Sequence, residues 1–423
     1  MNQIYYNRST CRLCESNNLT ETLKLEPTPV GDKYLPVERS KENRQLVPLG
    51  LFLCKVCGHI QTGSVVYPDN IYVHYLSRPA AVNPVLSEAY RSYGEDIISR
   101  YKPNPENLIV EIGSNDGAFL KFFKDNGFPV IGIDPAANLA ESASQIGINT
   151  LPTFFTYEIS QDIKKKYGLA SVFIANFVYA NIDNIIDATQ GIRNLLDKEG
   201  VFIFETNYRL DVFQKDLIET INHEHLSYFS IAPLQKFFDD QGMELIEVQR
   251  VPSKGGSIRC TVQLSGGSRK VDKSVQDLIS IEHKTEMYSS DFYTKCGNHI
   301  KSVREDMKPI LDEITEYGYT LAGYGTSIGA TILIYQLGLG KVMSFLVDDD
   351  PYRQNLVSPG YNLPVLSSKS IYDNNPEYVA ILAPLYAKQI MSNNERYLRQ
   401  KGKFLNVWPN VNVYGENNLE IQN

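Results

Sequence analysis

The chain has 423 residues, about three to four times the length of a typical domain, which predicts more than one domain. Hydrophobic residues make up 43% and charged residues 21% of the composition, which excludes a disordered protein. The formal net charge of −8 argues against a nucleic-acid partner. Apolar runs are too short to cross a membrane, and the N-terminus has no signal-peptide core. We therefore expect a cytoplasmic protein that binds neither nucleic acid nor membrane.

Four of the six cysteines form two CxxC pairs near the N-terminus, Cys11/Cys14 and Cys54/Cys57. In a cytoplasmic protein such pairs favour a metal over disulfides. Four thiolates at the corners of a tetrahedron suit Zn²⁺ and no hard cation. Because four thiolates leave no coordination position open, we predict a structural zinc that stabilises a small lobe and catalyses nothing.

Residues 108–135 predict a cofactor site at the carboxyl ends of two parallel strands. Two apolar strands, 108–112 and 129–133, each end in a polar turn, where open α/β sheets bind ligands. A dinucleotide requires GxGxxG, whereas a carboxylate in the first turn suits an amino-acid ammonium. This favours S-adenosylmethionine; a strand, turn and helix without a ligand is the alternative. The candidate cofactor residues are Glu111, Gly113, Asn115, Asp116, Gly117, Asp134 and Pro135.

Two further apolar segments, 170–176 and 200–205, predict the fourth and fifth strands of the same sheet. Asn176 and Phe177 would stand at the carboxyl end of the fourth strand, near the methionine part of the cofactor. Alternating strands and helices of this length imply a parallel, doubly wound sheet with right-handed crossovers.

The segment Asn222-His223-Glu224-His225 holds the candidate acid–base groups. On an extended segment His223 and His225 would face one way and Glu224 the other. An imidazole titrates near neutrality and can accept a proton, and a neighbouring carboxylate can orient it. A buried structural cluster is the main alternative, and half of a metal site is a lesser one.

A second polar loop, 253–259, contains paired glycines flanked by Lys254 and Arg259. Glycines let a polar ligand approach the backbone closely, and they equally suit a plain hairpin. The loop is therefore either a substrate site or a simple turn.

The C-terminal part repeats the pattern of strand, glycine loop and helix. After a charged helical stretch, residues 320–329 match GxGxxxG with hydroxyls suited to phosphate at a helix N-terminus. The next apolar strand ends in consecutive carboxylates at 348–350. Nucleotide-diphosphate binding, a structural domain and an NAD site all remain open. The candidate substrate residues here are Tyr324, Thr326, Ser327 and Asp350.

These features together resemble one family, the three-domain zinc-containing C-methyltransferases that act on nucleotide-linked keto sugars, with the tetronitrose-pathway enzyme as its type. The resemblance covers nearly the whole chain. It includes the cysteine pairs, an E-x-G-x-x-x-G loop similar to the first motif of class I methyltransferases, and the His-Glu-His-x-x-Tyr-Phe and Gly-Gly-Ser-Ile-Arg segments. It implies an α/β fold with a zinc lobe, a Rossmann-like class I methyltransferase domain and a smaller C-terminal Rossmann-like domain.

The resemblance also implies a mechanism. A base removes the proton beside the sugar ketone, neighbouring residues hold the enolate, and its carbon attacks the cofactor's methyl group. On the matching positions His225 would be the base and Glu224 a supporting or substrate-contacting group.

This chain departs from the family pattern at several positions. Asn222 stands where a tyrosine usually precedes His-Glu-His, and Asn181 stands where a histidine usually follows the fourth strand. The segment leaving the zinc lobe reads Tyr75-Leu76-Ser77, whereas it commonly ends in a tyrosine. Ile328 stands where the C-terminal loop commonly has a lysine. Asn181 and Asn222 can donate hydrogen bonds to an oxyanion, but neither transfers a proton at neutral pH.

The sequence therefore predicts a monomeric S-adenosylmethionine-dependent C-methyltransferase of a nucleotide-diphosphate keto sugar. We expect a zinc lobe at 1–75, a methyltransferase domain at 76–270, a helical bridge at 271–318 and the C-terminal domain at 319–423. The alternatives are an O- or N-methyltransferase of a related metabolite and a non-catalytic nucleotide-sugar-binding protein.

Overall fold

The structure is a computed structural model that describes residues 3–43, 45–73 and 84–416. The predicted Tyr75-Leu76-Ser77 feature therefore lies outside the described residues. Within the described ranges, every helix is too short or too polar to cross a membrane.

The N-terminal lobe is built on antiparallel strands. Its elements are β1 (Tyr5–Asn7), β2 (Leu19–Thr28), a 3₁₀ helix (Val37–Asn43), β3 (Val47–Cys54), β4 (Ile60–Thr62), β5 (Ser64–Val66) and α1 (Asp69–Tyr72). Strands β2, β3 and β4 form one sheet, and β1 pairs with β5. Alternation of exposed and buried residues along β2 leaves Leu23 and Leu25 facing the core, as expected for a sheet with one solvated face.

The central domain follows from residue 84. Its elements are α2 (Pro84–Tyr101), β6 (Leu108–Ile112), α3 (Ala118–Asp125), β7 (Val130–Ile133), α4 (Ala137–Gln145), β8 (Thr150–Leu151), α5 (Tyr157–Tyr167), β9 (Ala170–Asn176), α6 (Ile185–Leu195), β10 (Leu196–Asn207), α7 (Arg209–Gln214), β11 (Ser227–Tyr228), α8 (Ile231–Asp240), β12 (Met243–Val251) and β13 (Ser257–Leu264). Short 3₁₀ helices cover Tyr179–Asn181, Ile218–Thr220 and Ser253–Gly255.

The central sheet has seven strands in the order β12-β13-β10-β9-β6-β7-β8. Strands β6 to β10 run parallel, and their continuously buried sequences reflect helices on both faces. The predicted strands at 108–112 and 170–176 are confirmed. The expectation of a wholly parallel sheet is wrong, because the β12–β13 hairpin adds two antiparallel strands beside β10.

Two helices lead to the C-terminal domain. The elements are α9 (Lys273–Lys284), α10 (Ser290–Tyr317), β14 (Leu321–Tyr324), α11 (Ile328–Gln336), a 3₁₀ helix (Leu339–Lys341), β15 (Met343–Asp348), β16 (Val365–Ser367), α12 (Ser370–Asp373), β17 (Tyr378–Ile381), a 3₁₀ helix (Pro384–Tyr386), α13 (Ala387–Asn393), α14 (Glu395–Arg399), β18 (Lys403–Asn406) and β19 (Asn412–Tyr414). The sheet order is β16-β15-β14-β17-β18-β19, parallel except for β19.

The N-terminal lobe contacts both other domains. Strand β11, from the central domain, pairs with β4 and completes the lobe's sheet. On the other side, the Gln336 amide of α11 accepts from the backbone N–H of Glu26 at 2.8 Å and donates to its carbonyl at 2.9 Å. The lobe therefore connects the two larger domains at the cleft between them.

Candidate active site

The four paired cysteines converge in the N-terminal lobe. The Sγ atoms of Cys11 and Cys57 lie 3.6 Å apart, as do those of Cys14 and Cys54. All four sulfurs lie within 4.8 Å of one another, and none forms a disulfide. A closed cluster of four thiols fits Zn²⁺, whose structural sites are tetrahedral and rich in cysteine.

A cavity of about 480 Å³ opens at the carboxyl ends of β6, β7 and β9. Gly113, Asn115 and Asp134 line it, and the Asp134 carboxylate accepts the backbone N–H of Asn115 at 3.0 Å. Gly113 has φ +67°, and a Cβ there would lie 2.2 Å from Val178 Cγ2. Only glycine therefore fits this turn. Of the predicted cofactor residues, those that line the cavity are Gly113, Asn115, Asp134, Pro135, Asn176 and Phe177.

The remaining predicted cofactor residues lie behind this loop. Gly117 precedes α3 with φ +76°, and the Asp116 carboxylate accepts the Ala118 N–H at 3.2 Å. Glu111 is buried, and its Oε2 has no hydrogen-bond partner among the described residues. Burial, helped by Asp134 and Asp116, raises the pKa of Glu111 to about 8. A buried acceptor without a partner fits a cationic ligand group placed near this turn.

Residues outside the predicted cofactor set also line this cavity, among them two adjacent phenylalanines that could flank the adenine or belong to the core. Phe154 and Phe155 follow β8 and supply apolar surface, while Tyr72 and Asp183 come from the lobe and from the segment before α6. The aromatic pair was visible in the sequence, but adjacent phenylalanines are more often core residues.

A second cavity of about 500 Å³ lies between the central and C-terminal domains. Its walls include Thr206 and Asn207 of β10, Ser327 before α11, and the Asp32–Arg353 ion pair, whose charged atoms are 2.6 Å apart. Four residues line both cavities: Phe177, Asn181, Glu224 and Lys254. The two cavities therefore meet at these four side chains.

The 222–225 segment is a tight turn, and the expectation of an extended segment is wrong. The Asn222 Oδ1 accepts the backbone N–H groups of Glu224 at 2.9 Å and His225 at 3.2 Å. These bonds curl the chain, so strand alternation does not apply. Glu224 and His225 consequently share the wall of the second cavity, whereas His223 turns to the lobe and contacts the Pro48 carbonyl at 3.3 Å.

The electrostatics of this turn reflect burial. Burial and, to a lesser extent, Lys254 lower the pKa of His225 to about 3, so its imidazole is neutral at pH 7. His225 Nε2 lies 3.3 Å from the Thr206 hydroxyl, and its Nδ1 has no partner among the described residues. Burial also raises the pKa of Glu224 to about 8; Asp32 adds to this shift, and Lys254 opposes it.

The two predicted asparagines bind the local backbone. Asn222 Nδ2 donates to the Thr220 carbonyl at 3.1 Å, and Asn181 Nδ2 donates to the Phe177 carbonyl at 3.2 Å. Each amide therefore uses one of its two hydrogens to hold a turn that lines the second cavity.

The two predicted substrate residues of the 253–259 loop have different surroundings. Lys254 lines both cavities, and its Nζ lies 3.7 Å from the centre of the Phe177 ring. Arg259 is not among the lining residues of either cavity; it stacks 3.5 Å over the Tyr93 ring and forms a 2.8 Å ion pair with Glu205. This placement gives Arg259 a packing contact within the domain.

Of the four predicted substrate residues in the C-terminal domain, one lines the second cavity. Ser327 lines the second cavity and caps α11 by accepting the Ala330 N–H. The other three, Tyr324, Thr326 and Asp350, are not among its lining residues. Thr326 donates to Asp348, Tyr324 donates to Asp349, and Asp350 accepts the Tyr352 N–H. Ile328, at the position where the resembled family commonly has a lysine, stands on the cavity wall.

Three family models match successive parts of the chain. They are "Putative zinc binding domain" over residues 11–72, "Methyltransferase domain" over 86–248 and "C-methyltransferase C-terminal domain" over 252–409. With the fold and the cysteine cluster, they define a zinc-binding, S-adenosylmethionine-dependent methyltransferase. The predicted fold, enzyme class and two cofactors are confirmed.

More specifically, the C-terminal match is to a domain of C-methyltransferases, and the three matches together span most of the chain. The chain is 28% identical over 404 residues to C-methyltransferase NovU of Streptomyces niveus, with 95% of this chain and 96% of that protein covered.

Two solved structures are similar to part of the chain. A S-adenosylmethionine-dependent methyltransferase from Clostridium acetobutylicum is 9% identical over 43% of this chain and 92% of its own, with a TM-score of 0.34. The magnesium protoporphyrin IX methyltransferase of Synechocystis with bound SAH is 14% identical over 46% of this chain and 91% of its own, with a TM-score of 0.33.

Proposed function

We propose that this enzyme methylates the carbon beside the ketone of a nucleotide-linked keto deoxysugar. The observation that carries the proposal is the meeting of the two cavities at four residues, which include Asn181, Glu224 and Lys254. A methyl donor in the first cavity and an acceptor in the second would react only at this junction. The similarity to a protein named as a C-methyltransferase supports carbon as the acceptor atom.

The first cavity would hold S-adenosylmethionine. Asp134 would bind the ribose hydroxyls, and the turn around Gly113 and Asn115 would hold the amino-acid end near Glu111. When bound, S-adenosylmethionine supplies an electrophilic methyl group from its sulfonium, and the sulfur keeps the electron pair of the broken bond.

His225 would be the base. Its imidazole lines the second cavity, and the Nδ1 atom has no hydrogen-bond partner among the described residues. In the tautomer that carries its proton on Nε2, Nδ1 would have a lone pair to accept a proton. The ionised Glu224 carboxylate would stabilise the imidazolium that forms. Asn222 would set the position of both groups, since its side chain binds both of their backbone N–H groups.

The nucleotide part would lie toward the C-terminal domain. Ser327 and Gly329 at the N-terminus of α11 and the Arg353 guanidinium line that side of the second cavity. Helix N-termini and guanidinium groups both favour phosphate. The C-terminal domain would thus bind the diphosphate and place the sugar beside His225.

The test uses a panel of nucleoside-diphosphate 4-keto-6-deoxysugars in deuterated solvent, with and without S-adenosylmethionine. We expect deuterium uptake beside the ketone without the donor, and a product heavier by one methylene with it. Methylation of a hydroxyl or amine without any exchange would refute carbon chemistry. Binding of the panel without exchange or product would instead indicate a non-catalytic binding protein.

A further inference from the structure

Lys254 is the cation at the junction of the two cavities. Among the described residues that line both, the others are Phe177, Asn181 and Glu224, so Lys254 carries the positive charge there. The Lys254 ammonium makes no hydrogen bond or ion pair with the described residues, and its contact is with the face of the Phe177 ring. The Lys254 side chain is exposed, and its surface lines both cavities.

The backbone holds this lysine in an unfavourable conformation. Lys254 has φ +49° and ψ +36°, and Phe177 beneath it has φ +55°. Left-handed conformations are costly for residues with a Cβ and are concentrated at functional sites. Glycine would meet the backbone requirement at 254 better than lysine does, so the backbone does not account for the side chain.

The neighbouring carboxylates leave the ammonium available. Glu205 is occupied by Arg259 and by the Ser253 hydroxyl. Glu224 acts on Lys254 from within the same two cavities, and its Oε1 has no partner among the described residues. The Lys254 charge also helps to lower the pKa of His225, so the two groups share one electrostatic environment.

We propose that Lys254 is a catalytic residue that stabilises the enolate oxygen, an inference that rests on the proposed function above. His225 takes the proton beside the ketone, the electron pair of that C–H bond forms the C=C bond, and the carbonyl π pair moves to oxygen. The Lys254 ammonium donates a hydrogen bond to this oxyanion and keeps its proton. When the carbon takes the methyl group, the oxygen pair re-forms the ketone and the imidazolium proton leaves to solvent.

This role explains how a weakly basic imidazole could act as the base. A weakly basic imidazole removes a carbon-bound proton only if the resulting negative charge is strongly stabilised. The second cavity also contains Arg353, but Asp32 pairs with it at 2.6 Å. The Asn181 and Asn222 amides carry no charge, and each already donates one of its two hydrogens to a backbone carbonyl. Lys254 is therefore the best-placed described group to stabilise the oxyanion.

The experiment compares Lys254→Met and Lys254→Gly with the wild-type enzyme and with Lys215→Met as the matched control. Lys215 is half-exposed, bonds the Gly255 carbonyl of the same loop at 2.9 Å and lies outside both cavities, so its variant reports on loop integrity alone. The substrate is the panel member that wild-type enzyme exchanges. The readouts are the deuterium exchange rate, kcat, and calorimetric binding of S-adenosylhomocysteine and of the matching nucleoside diphosphate.

We expect both Lys254 variants to lose about 10²- to 10³-fold in exchange rate and in kcat, with binding of both probes changed less than about threefold. Ethylammonium should partly restore Lys254→Gly, and tetramethylammonium, which cannot donate a hydrogen bond, should not. The melting temperature of Lys254→Gly should equal or exceed that of the wild type, because glycine relieves the left-handed backbone.

Three results would overturn the inference. Unchanged exchange in both Lys254 variants would exclude the oxyanion role, and weaker S-adenosylhomocysteine binding at unchanged kcat would assign Lys254 to the cofactor carboxylate. Weaker nucleoside-diphosphate binding at unchanged kcat would assign it to the phosphates. Failure of the wild-type enzyme to exchange any panel member would instead refute the proposed function, and the inference with it.

Discussion

Replacement of Glu111 by glutamine should change how stability depends on pH. The carboxyl is buried, and its pKa is raised from 4.5 to about 8. Between these two values the folded protein binds a proton that the unfolded chain has released, so stability falls as pH rises. The slope is about 1.4 kcal/mol per pH unit, which gives an upper limit on the order of 4 kcal/mol near neutral pH.

Glutamine keeps the shape of the side chain and removes this proton linkage. Urea unfolding of zinc-loaded Glu111→Gln and wild-type protein should therefore give a stability difference that grows in favour of the variant from about pH 5 to about pH 8 and then levels off. An unpaired amide would shift the whole difference by a constant without changing its slope. A difference that does not vary with pH would refute the reasoning, because Glu111 would then be ionised in the folded state.

Three further predictions concern the site. His225→Ala should lose about 10²- to 10⁴-fold in kcat while calorimetry shows unchanged S-adenosylhomocysteine binding; wild-type turnover would exclude His225 as the base. Because Glu224 supports catalysis only when ionised, kcat/KM should rise with pH through about 8, and a rate profile of Glu224→Gln should lack this limb; an unchanged limb would assign it elsewhere. Removing zinc with a chelator should lower kcat more than it lowers cofactor binding, and added zinc should restore kcat. Full activity of the zinc-free enzyme would show that the position of His225 does not depend on the zinc lobe.

Local sequence patterns predicted most of the fold. The strands at 108–112 and 170–176 were predictable because buried parallel strands are continuously apolar. The zinc ligands were predictable because two CxxC motifs supply the four thiolates of a zinc site, although 39 residues separate the motifs. The glycines of the 253–259 loop suit a hairpin, but the sequence does not indicate that β12 and β13 join the sheet antiparallel beside β10. Their pairing depends on which strand edge remains open, and this is decided by tertiary packing.

The site was less predictable because long-range contacts build it. Asp32 and Arg353 are 321 residues apart in the chain and come from different domains, so no local motif indicates their pairing. Glu219 lines the second cavity from a short 3₁₀ helix, where burial raises its pKa to about 7, and it carried no sequence signal either. Strand alternation does not predict the turn at Asn222, because side-chain hydrogen bonds to the backbone override it.

The zinc lobe supports the position of His225 through the residue that follows it. The Leu226 carbonyl accepts the backbone N–H of Thr62 at 3.0 Å and the Arg12 guanidinium at 3.2 Å, and Leu226 N–H donates to Ala180. Arg12 is fully buried and lies between the zinc ligands Cys11 and Cys14. We expect loss of the metal to free this knuckle and to weaken the Arg12 bond to Leu226. On this reasoning a structural zinc would influence the position of the proposed base without taking part in the chemistry.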